Sequence, residues 1–213
     1  MCGICGVIFA DSSKQKEYSK YVENMVKTML DRGPDNSSIS SYKNIILGHT
    51  RLSIMDPGSK IANQPIENDK WVLVFNGEIY NFKKIREDLK VKGYRFYSNS
   101  DTEVLLNAID CYGVPKTLDK INGIFAFAAF NKKTKKTYLA RDRIGIKPLH
   151  LHIGGDGNIY FASTPAAIAL SLNKIWTLNY QSVLSFLHLG ASNTLSTFFN
   201  SIEKVRPAEF ITI

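Results

Sequence analysis

The stretch Met1-Cys2-Gly3-Ile4-Cys5-Gly6-Val7-Ile8-Phe9-Ala10 places a cysteine directly after the start methionine. The apolar run that follows is typical of a buried β-strand. Residue 2 is small, so we expect Met1 to be trimmed, which would make Cys2 the mature N-terminus. Its α-amine, with an unperturbed pKa of roughly 7.7 to 8.0, would then be suited to act as base for its own thiol. A strand held within a sheet would fix such a nucleophile in place.

Length and composition indicate one globular domain. The chain has 213 residues, of which 44% are apolar and 22% charged, enough to build a sizeable core. No apolar run is long enough to cross a bilayer, and the N-terminus lacks the pattern of a signal peptide. The three cysteines, an odd number, do not indicate a disulfide framework. A cytoplasmic location and no membrane partner are therefore expected.

The net charge of +8 does not by itself predict a nucleic-acid partner. Its densest cluster lies between two strand-like runs and is typical of a solvated hairpin tip: Lys132, Lys133, Lys135 and Lys136. No nucleic-acid-binding motif accompanies it, so no such partner is expected.

The order of elements predicts an α+β fold. Strands are predicted at residues 2–10, 38–42, 44–48, 71–75, 94–97, 123–130, 137–140, 149–153, 159–162 and 209–213, and helices at 18–30, 82–92, 100–112, 165–170 and 179–189. The dipeptide Asn76-Gly77 is a turn signal and is expected to end the strand at 71–75. His49 and the residues after it are expected to enter a loop that runs to Pro65.

An N-terminal thiolate that attacks an amide needs donors for the developing oxyanion and charged groups that hold the substrate. Asn76 and Gly77 offer a side-chain amide and a main-chain N–H, although spacing alone favours a tight turn. Arg51 is suited to pair with a carboxylate, or it is a surface arginine beside a turn. Glu78 and Asp101 are suited to hold an ammonium group, although an acidic residue at a helix start such as Asp101 also stabilises the helix.

Other chemistry-bearing residues have simpler interpretations. Cys2 and Cys5 form a C-x-x-C pair, but no second ligand pair at matching spacing indicates zinc, and no strand precedes the pair as in redox motifs. The four histidines make no metal pattern. Arg141, Asp142 and Arg143 are interpreted as a structural salt-bridge network.

Together these residues resemble the N-terminal glutaminase domain of glutamine-dependent asparagine synthetases and their class II amidotransferase relatives. The matching segments occur in the family's order and cover nearly the whole chain: 2–4, 32–35, 48–54, 63–65, 75–81, 100–103, 122–127 and 140–149. The resemblance implies one domain over residues 2–213 with the N-terminal nucleophile hydrolase fold, an αββα sandwich of two antiparallel sheets between helix layers.

The resemblance also implies hydrolysis of glutamine to glutamate and ammonia, with no cofactor or metal. It implies Cys2 as nucleophile, Asn76 and the Gly77 amide as oxyanion hole, and Arg51 as partner of the glutamine α-carboxylate. Glu78 and Asp101 would bind the α-ammonium group. The pocket would also be lined by three residues of the segment after Arg51: Leu52, Ile54 and Met55.

Relatives pair this domain with an ATP-dependent synthetase domain that this sequence lacks, so ATP and Mg are expected only there. We expect a synthetase domain or subunit as partner, in a longer chain or a separate protein, and a homodimer is compatible with the sequence. The acceptor would be aspartate or another carboxylate.

Two alternatives remain open: a non-catalytic glutamine-sensing module of the same fold, and an N-terminal nucleophile peptidase or acylase. A second departure from relatives is Ser163-Thr164-Pro165-Ala166-Ala167, where a Ser-Glu-Ile-Lys-like segment is usual.

Overall fold

The computed structural model describes residues 1–191 and 195–213. The strands are β1 (Gly3–Ile8), β2 (Asn36–Tyr42), β3 (Ile45–Arg51), β4 (Ile66–Glu67), β5 (Trp71–Ile79), β6 (Gly123–Asn131), β7 (Thr137–Arg141), β8 (His150–Ile153), β9 (Ile159–Ala162), β10 (Glu203–Lys204) and β11 (Phe210–Thr212). The α-helices are α1 (Gln15–Thr28), α2 (Phe82–Val91), α3 (Asp101–Tyr112), α4 (Val114–Lys120), α5 (Pro165–Ser171) and α6 (Tyr180–Leu189).

These strands form two antiparallel sheets. The first has the order β10-β8-β9-β1-β3-β2, and the second β11-β7-β6-β5-β4. The N-terminal strand β1 lies inside the first sheet, paired with β3 on one side and β9 on the other. Because both of its edges are hydrogen-bonded and all six of its residues are buried, β1 is held as firmly as an internal strand.

The alternation of side chains along the strands builds three apolar layers. Ile4 and Ile8 of β1 face Val72 and Val74 of β5 between the two sheets. The opposite face of β1 packs with Cys5 and others against α1 and α5. The opposite face of the second sheet packs against α2, α3 and α4. The molecule is therefore an αββα sandwich, and the predicted fold class is confirmed.

Most predicted elements are confirmed, but three predictions were wrong. Asn76-Gly77 is not a turn, because β5 continues through it to Ile79. Residues 94–97 form no strand and instead contact the core from an irregular segment. His49 to Arg51 belong to β3 and not to a loop. The sequence analysis also missed α4. Pro115 lies in its first turn, where the main-chain N–H that proline lacks would have no partner within the helix.

The predicted hairpin tip is confirmed. The lysine cluster lies in the turn between β6 and β7, where Lys133, Lys135 and Lys136 are exposed. The departing segment at 163–167 has a clear local role, because the Thr164 side chain accepts a hydrogen bond from Ala167 N and so begins α5. No helix within residues 1–191 and 195–213 combines the length and apolar character needed to cross a membrane.

Gly6 allows β1 to pack closely inside the sandwich. A Cβ atom there would lie 2.6 Å from Ile46 O and 2.6 Å from Phe161 Cζ, whereas a Cβ at Gly155 would meet nothing within 4 Å. We expect Gly6→Ala to lower the free energy of unfolding by about 1–3 kcal/mol through overpacking. Urea unfolding of Gly6→Ala and of the control Gly155→Ala measures this. Equal stability of the two variants would contradict the close packing.

Candidate active site

Cys2 lies where the two sheets of the sandwich meet a cavity. It precedes β1 in phase with Ile4 and Ile8, whose side chains point between the sheets. Its Sγ accepts a hydrogen bond from Leu52 N at 3.4 Å, and Arg32 Nε donates to its carbonyl oxygen at 3.2 Å. The thiol and the main chain of Cys2 are thus held by separate segments.

The edge of β5 that faces the cavity loses its neighbouring strand. β4 pairs only with Val72 and Leu73, so the outward main-chain groups beyond them need other partners. Phe75 N donates to Gln64 Oε1 at 2.6 Å, and Ile79 N donates to Asp101 Oδ2 at 2.9 Å. Because alternate residues of a strand direct their N–H to the same edge, the Gly77 N–H faces this edge between those two donors.

The side chain of Asn76 extends the inward-facing row of Val72 and Val74. It is 1% exposed, and its Nδ2 is buried without a hydrogen-bond partner in the described part of the protein. An unpaired buried amide is costly unless a ligand satisfies it. Gly77 is glycine for a steric reason, since a Cβ there would lie 2.3 Å from Ile124 O of the adjacent strand.

Arg51, the last residue of β3, holds the loop that follows it. Its Nη1 donates to Ser59 O and to Asn63 Oδ1, both at 2.8 Å. Its Nη2 donates to Met55 O and to Asp56 O, both at 3.1 Å. The guanidinium therefore holds residues 55–63 in place beside the cavity.

The N-terminus of α3 also lines the cavity. Ser100 caps this helix by accepting from Thr102 N at 3.0 Å. Glu103, however, accepts from Tyr97 N and Ser98 N. Asp101 bonds to Ile79 N, and burial raises the pKa of its carboxyl group, with the neighbouring charge of Glu78 adding to the rise. Two acidic groups therefore share this side of the cavity.

All nine predicted site residues line one cavity: Cys2, Arg51, Leu52, Ile54, Met55, Asn76, Gly77, Glu78 and Asp101. Their individual roles stay predictions. The sequence analysis had assigned no role to the other lining residues, which are Met1, Ala62, Gln64, Phe75, Ser100, Thr102 and Lys147. Gln64 and Lys147 lie inside segments that carried the resemblance, and that was the only signal pointing to them.

Burial and nearby charges act in opposite directions on the pKa of the Cys2 thiol. Burial raises its pKa, and the Leu52 N–H and the charges of the N-terminus, Arg51 and Lys147 oppose that rise. Met1 precedes Cys2 in the sequence, and its half-exposed side chain also lines the cavity. Removal of Met1 would place an amine on Cys2 itself.

Arg141, Asp142 and Arg143 are structural, but the predicted salt-bridge network was wrong. Arg141 donates to Lys147 O, Gly145 O and Val205 O, while Arg143 donates to Ile121 O and Leu118 O. Buried Asp142 accepts from Phe125 N, Ile144 N, Ile146 N and Lys147 N. These three charged side chains bond to main-chain groups of residues 144–147 and of neighbouring segments instead of to one another.

Metal ligation has no evident place in the described ranges, which contain no group of three or more His, Cys, Asp or Glu side chains arranged to hold an ion. Cys5 and Cys111 are free thiols; Cys5 is fully buried under α1, and Cys111, near the end of α3, packs partly buried against the core.

Solved amidotransferase structures share this αββα sandwich. The glutamine phosphoribosylpyrophosphate amidotransferase of Bacillus subtilis, complexed with ADP and GMP, superposes with a TM-score of 0.69 over 100% of this chain and 47% of that chain. Its 19% identity supports the fold alone.

The sequence narrows the class further. A family model described as "Glutamine amidotransferase domain" matches residues 1–213, and the chain belongs to this family of enzymatic domains. Asparagine synthetase [glutamine-hydrolyzing] 3 of Bacillus subtilis (strain 168) is 33% identical over 223 residues, covering 100% of this chain and 34% of the relative. Asparagine synthetase [glutamine-hydrolyzing] 2 of Oryza sativa subsp. japonica is 40% identical over 172 residues, covering 79% and 28%. The chain thus spans about a third of the length of the curated relatives it matches.

His49 joins the two sheets beside the site. Its Nε2 donates to Phe75 O at 3.3 Å, and complete burial lowers its pKa to about 3 from an ordinary 6.5. Below pH 6.5 the histidine therefore binds a proton in the unfolded chain but not in the folded chain. The free energy of unfolding consequently falls as the pH falls from 6.5 towards 3. We expect this histidine to remove about 2 kcal/mol between pH 6.5 and 4.5.

Urea unfolding across this pH range checks the effect. His49→Gln, which keeps a donor for Phe75 O, should show a shallower loss of stability on acidification than the unsubstituted protein. His188→Gln serves as the control, because His188 is exposed on α6. Identical slopes for His49→Gln and the unsubstituted protein would contradict the assignment.

Proposed function

We propose that this domain hydrolyses glutamine to glutamate and ammonia through a thioester on Cys2. The observation that carries the proposal is that one cavity is lined by both Cys2 and Asn76. The Asn76 Nδ2 is buried and has no hydrogen-bond partner among the described residues. The amide donors there would have nothing to bond until an oxyanion forms. Such preorganised donors stabilise a tetrahedral intermediate without reorganising during the reaction.

The proposed reaction is a double displacement. After Met1 removal, the α-amine of Cys2 takes the proton of the Cys2 thiol. The resulting thiolate attacks the side-chain amide carbon of glutamine and forms a C–S bond. The tetrahedral oxyanion accepts hydrogen bonds from Asn76 and from the Gly77 N–H. The tetrahedral intermediate collapses with cleavage of the C–N bond. The α-ammonium group of Cys2 gives its proton to the leaving nitrogen, which departs as ammonia. Water then attacks the thioester, a second oxyanion forms, and glutamate and the free thiol are released.

The charged groups of the cavity suit a free amino acid. Glu78 and Asp101 lie on one wall and match an α-ammonium group. Arg51 brings positive charge to the same cavity for the α-carboxylate, and Leu52, Ile54 and Met55 also line it. A peptidase or acylase would not need recognition of both charges, so this arrangement favours glutamine over a peptide.

The relatives suggest where the ammonia goes. The relatives are named as glutamine-hydrolysing asparagine synthetases. About two thirds of their length lies outside the part that this chain matches. We propose that the ammonia feeds an ATP-dependent amidation of aspartate or a related carboxylate, performed by a synthetase domain or subunit. ATP and Mg would belong to that partner, and hydrolysis of glutamine in this domain would need no cofactor. A cytoplasmic location fits this role.

Alkylation by a glutamine analogue tests the nucleophile and the pocket together. We expect 6-diazo-5-oxo-L-norleucine to give protein that lacks Met1 and carries a single adduct on Cys2, measured by mass spectrometry. Cys2→Ala should bind glutamine yet release no glutamate, and it should remain unlabelled. Full turnover by Cys2→Ala would refute the mechanism. Glutamine binding by processed protein without labelling or turnover would support the glutamine-sensing alternative instead.

Asn76→Asp tests the oxyanion hole with little change of shape, because the substitution replaces the amide donor by a carboxylate. We expect kcat for glutamine hydrolysis to fall by about 10²- to 10³-fold, with a smaller change in KM, since the lost bond is made mainly in the transition state. Steady-state glutamate release measures both constants. An equal loss after Asn122→Asp, a change outside the cavity-lining set, would point to general disruption.

A further inference from the structure

A side chain occupies the place beside Phe75 that strand β4 would fill if it were longer. β4 pairs Ile66 with Leu73, so the same antiparallel register continued backwards would set residue 64 opposite Phe75. Gln64 does not use its main chain for this pairing, because its carbonyl oxygen accepts from Ser38 Oγ of β2. Its side chain does so instead: Gln64 Oε1 accepts from Phe75 N at 2.6 Å.

His49 supplies the second hydrogen bond of that pairing. In an antiparallel sheet, a residue hydrogen-bonded to Phe75 would both accept from its N–H and donate to its C=O. His49 Nε2 lies 3.3 Å from Phe75 O, and a carbonyl oxygen can only accept, so this nitrogen carries the proton. Gln64 and His49 are both buried. Their two side chains together reproduce the bonds of a neighbouring strand residue, and we call them the Gln64–His49 brace.

The brace is anchored in the sheet that contains β1. His49 of β3 and Ser38 of β2 are register partners, whose side chains lie on one face of the sheet. His49 is in phase with Leu47, which packs between the two sheets. The other neighbour of β3 is β1, the strand that directly follows Cys2. The brace therefore links the edge of β5 to the sheet that positions the nucleophile.

We propose that Gln64 is a positioning residue for the oxyanion hole. Together with His49 it fixes the peptide groups on both sides of Phe75. The two proposed donors, Asn76 and Gly77, follow directly in β5, so their direction depends on how these peptide groups are held. Gln64 acts through these donors and not on the reacting atoms. This inference rests on the proposed glutamine hydrolysis and adds a supporting residue to it.

The main chain at Gly77 needs such support. Glycine restricts its own main chain less than any other residue. The outward N–H groups two residues before and two residues after Gly77 are both held by side chains, those of Gln64 and Asp101. Donors of an oxyanion hole are effective when they are preorganised to within about 0.5 Å. Loss of the brace should therefore weaken binding of the transition state more than binding of the substrate.

Two substitutions of Gln64 separate positioning from simple stabilisation. Gln64→Met keeps the length of the side chain but removes the acceptor for Phe75 N, whereas Gln64→Glu keeps an oxygen acceptor at the same reach. We expect Gln64→Met to lower kcat for glutamine hydrolysis about 10- to 50-fold and to change KM less than about 3-fold. Gln64→Glu should be at least about 5-fold more active than Gln64→Met, because the hydrogen bond to Phe75 N is retained.

Alkylation of Cys2 by iodoacetamide is the reaction that needs no oxyanion hole, since the thiolate simply displaces iodide. Its rate, measured by mass spectrometry, should differ less than about 3-fold between Gln64→Met and the unsubstituted protein. Glutamate release gives kcat and KM. Gln181→Met, at an exposed position of α6, is the matched control and should behave as the unsubstituted protein.

Three results would overturn the inference: an unchanged kcat in Gln64→Met, a loss that appears in KM alone, or an equal loss in the rate of alkylation. A Gln64→Glu variant no more active than Gln64→Met would also overturn it. Circular dichroism shows whether Gln64→Met folds. If it does not, Gln64→Asn replaces it under the same expectations, because its amide is one carbon too short to reach Phe75 N.

If the unsubstituted protein hydrolyses no glutamine, the proposed function fails, and nuclear magnetic resonance decides the inference separately. The probes are the main-chain amide resonances of Phe75 and Gly77 in isotopically labelled protein. Gln64→Met should shift both resonances, and Gln181→Met should shift neither. An unchanged Gly77 resonance in Gln64→Met would overturn the inference, because the support given to Phe75 would then not extend to the oxyanion hole.

Discussion

The open edge of β5 is the constraint on which the site depends. Once β4 ends, each outward N–H of β5 must find a partner or remain costly. Gln64 and Asp101 satisfy the donors of Phe75 and Ile79, and His49 donates to the Phe75 carbonyl. The Gly77 N–H lies between these satisfied groups. A rigid strand interrupted in its pairing thus presents one donor to a ligand without losing its own support.

The nucleophile reaches this edge because β1 is an internal strand of the other sheet. Pairing with β3 and β9 fixes its direction, and the alternation of its side chains directs Cys2 towards the space between the sheets. The inward row of β5 ends at the same place with Asn76 and Glu78. Two strands from different sheets therefore meet at the cavity, and their relative position is set by the apolar layer between the sheets.

Local patterns predicted most of the fold because strands and helices here have strong apolar periodicity and clear caps. They misjudged Asn76-Gly77 because the dipeptide usually makes a turn, whereas here glycine is required by the close approach of Ile124 O. The resemblance identified nine residues of the cavity, since whole segments matched. Neither approach assigned a role to Lys147, whose peptide groups bond to the side chains of Asp142 and Arg141 in an irregular loop that has no apolar periodicity.

Charged side chains in this domain mostly serve the main chain. Arg51 and Arg141 donate to carbonyl oxygens of loops, and Arg143 donates to carbonyl oxygens at the end of α4. Asp142 accepts from four N–H groups. Main-chain groups in buried loops lack the partners that helices and sheets provide, so ions that form several hydrogen bonds are effective there. A charge beside the cavity can therefore support a loop, bind a substrate, or do both. The number of donors that remain unengaged is a further criterion, and Asn76 meets it, because its Nδ2 is buried without a hydrogen-bond partner among the described residues.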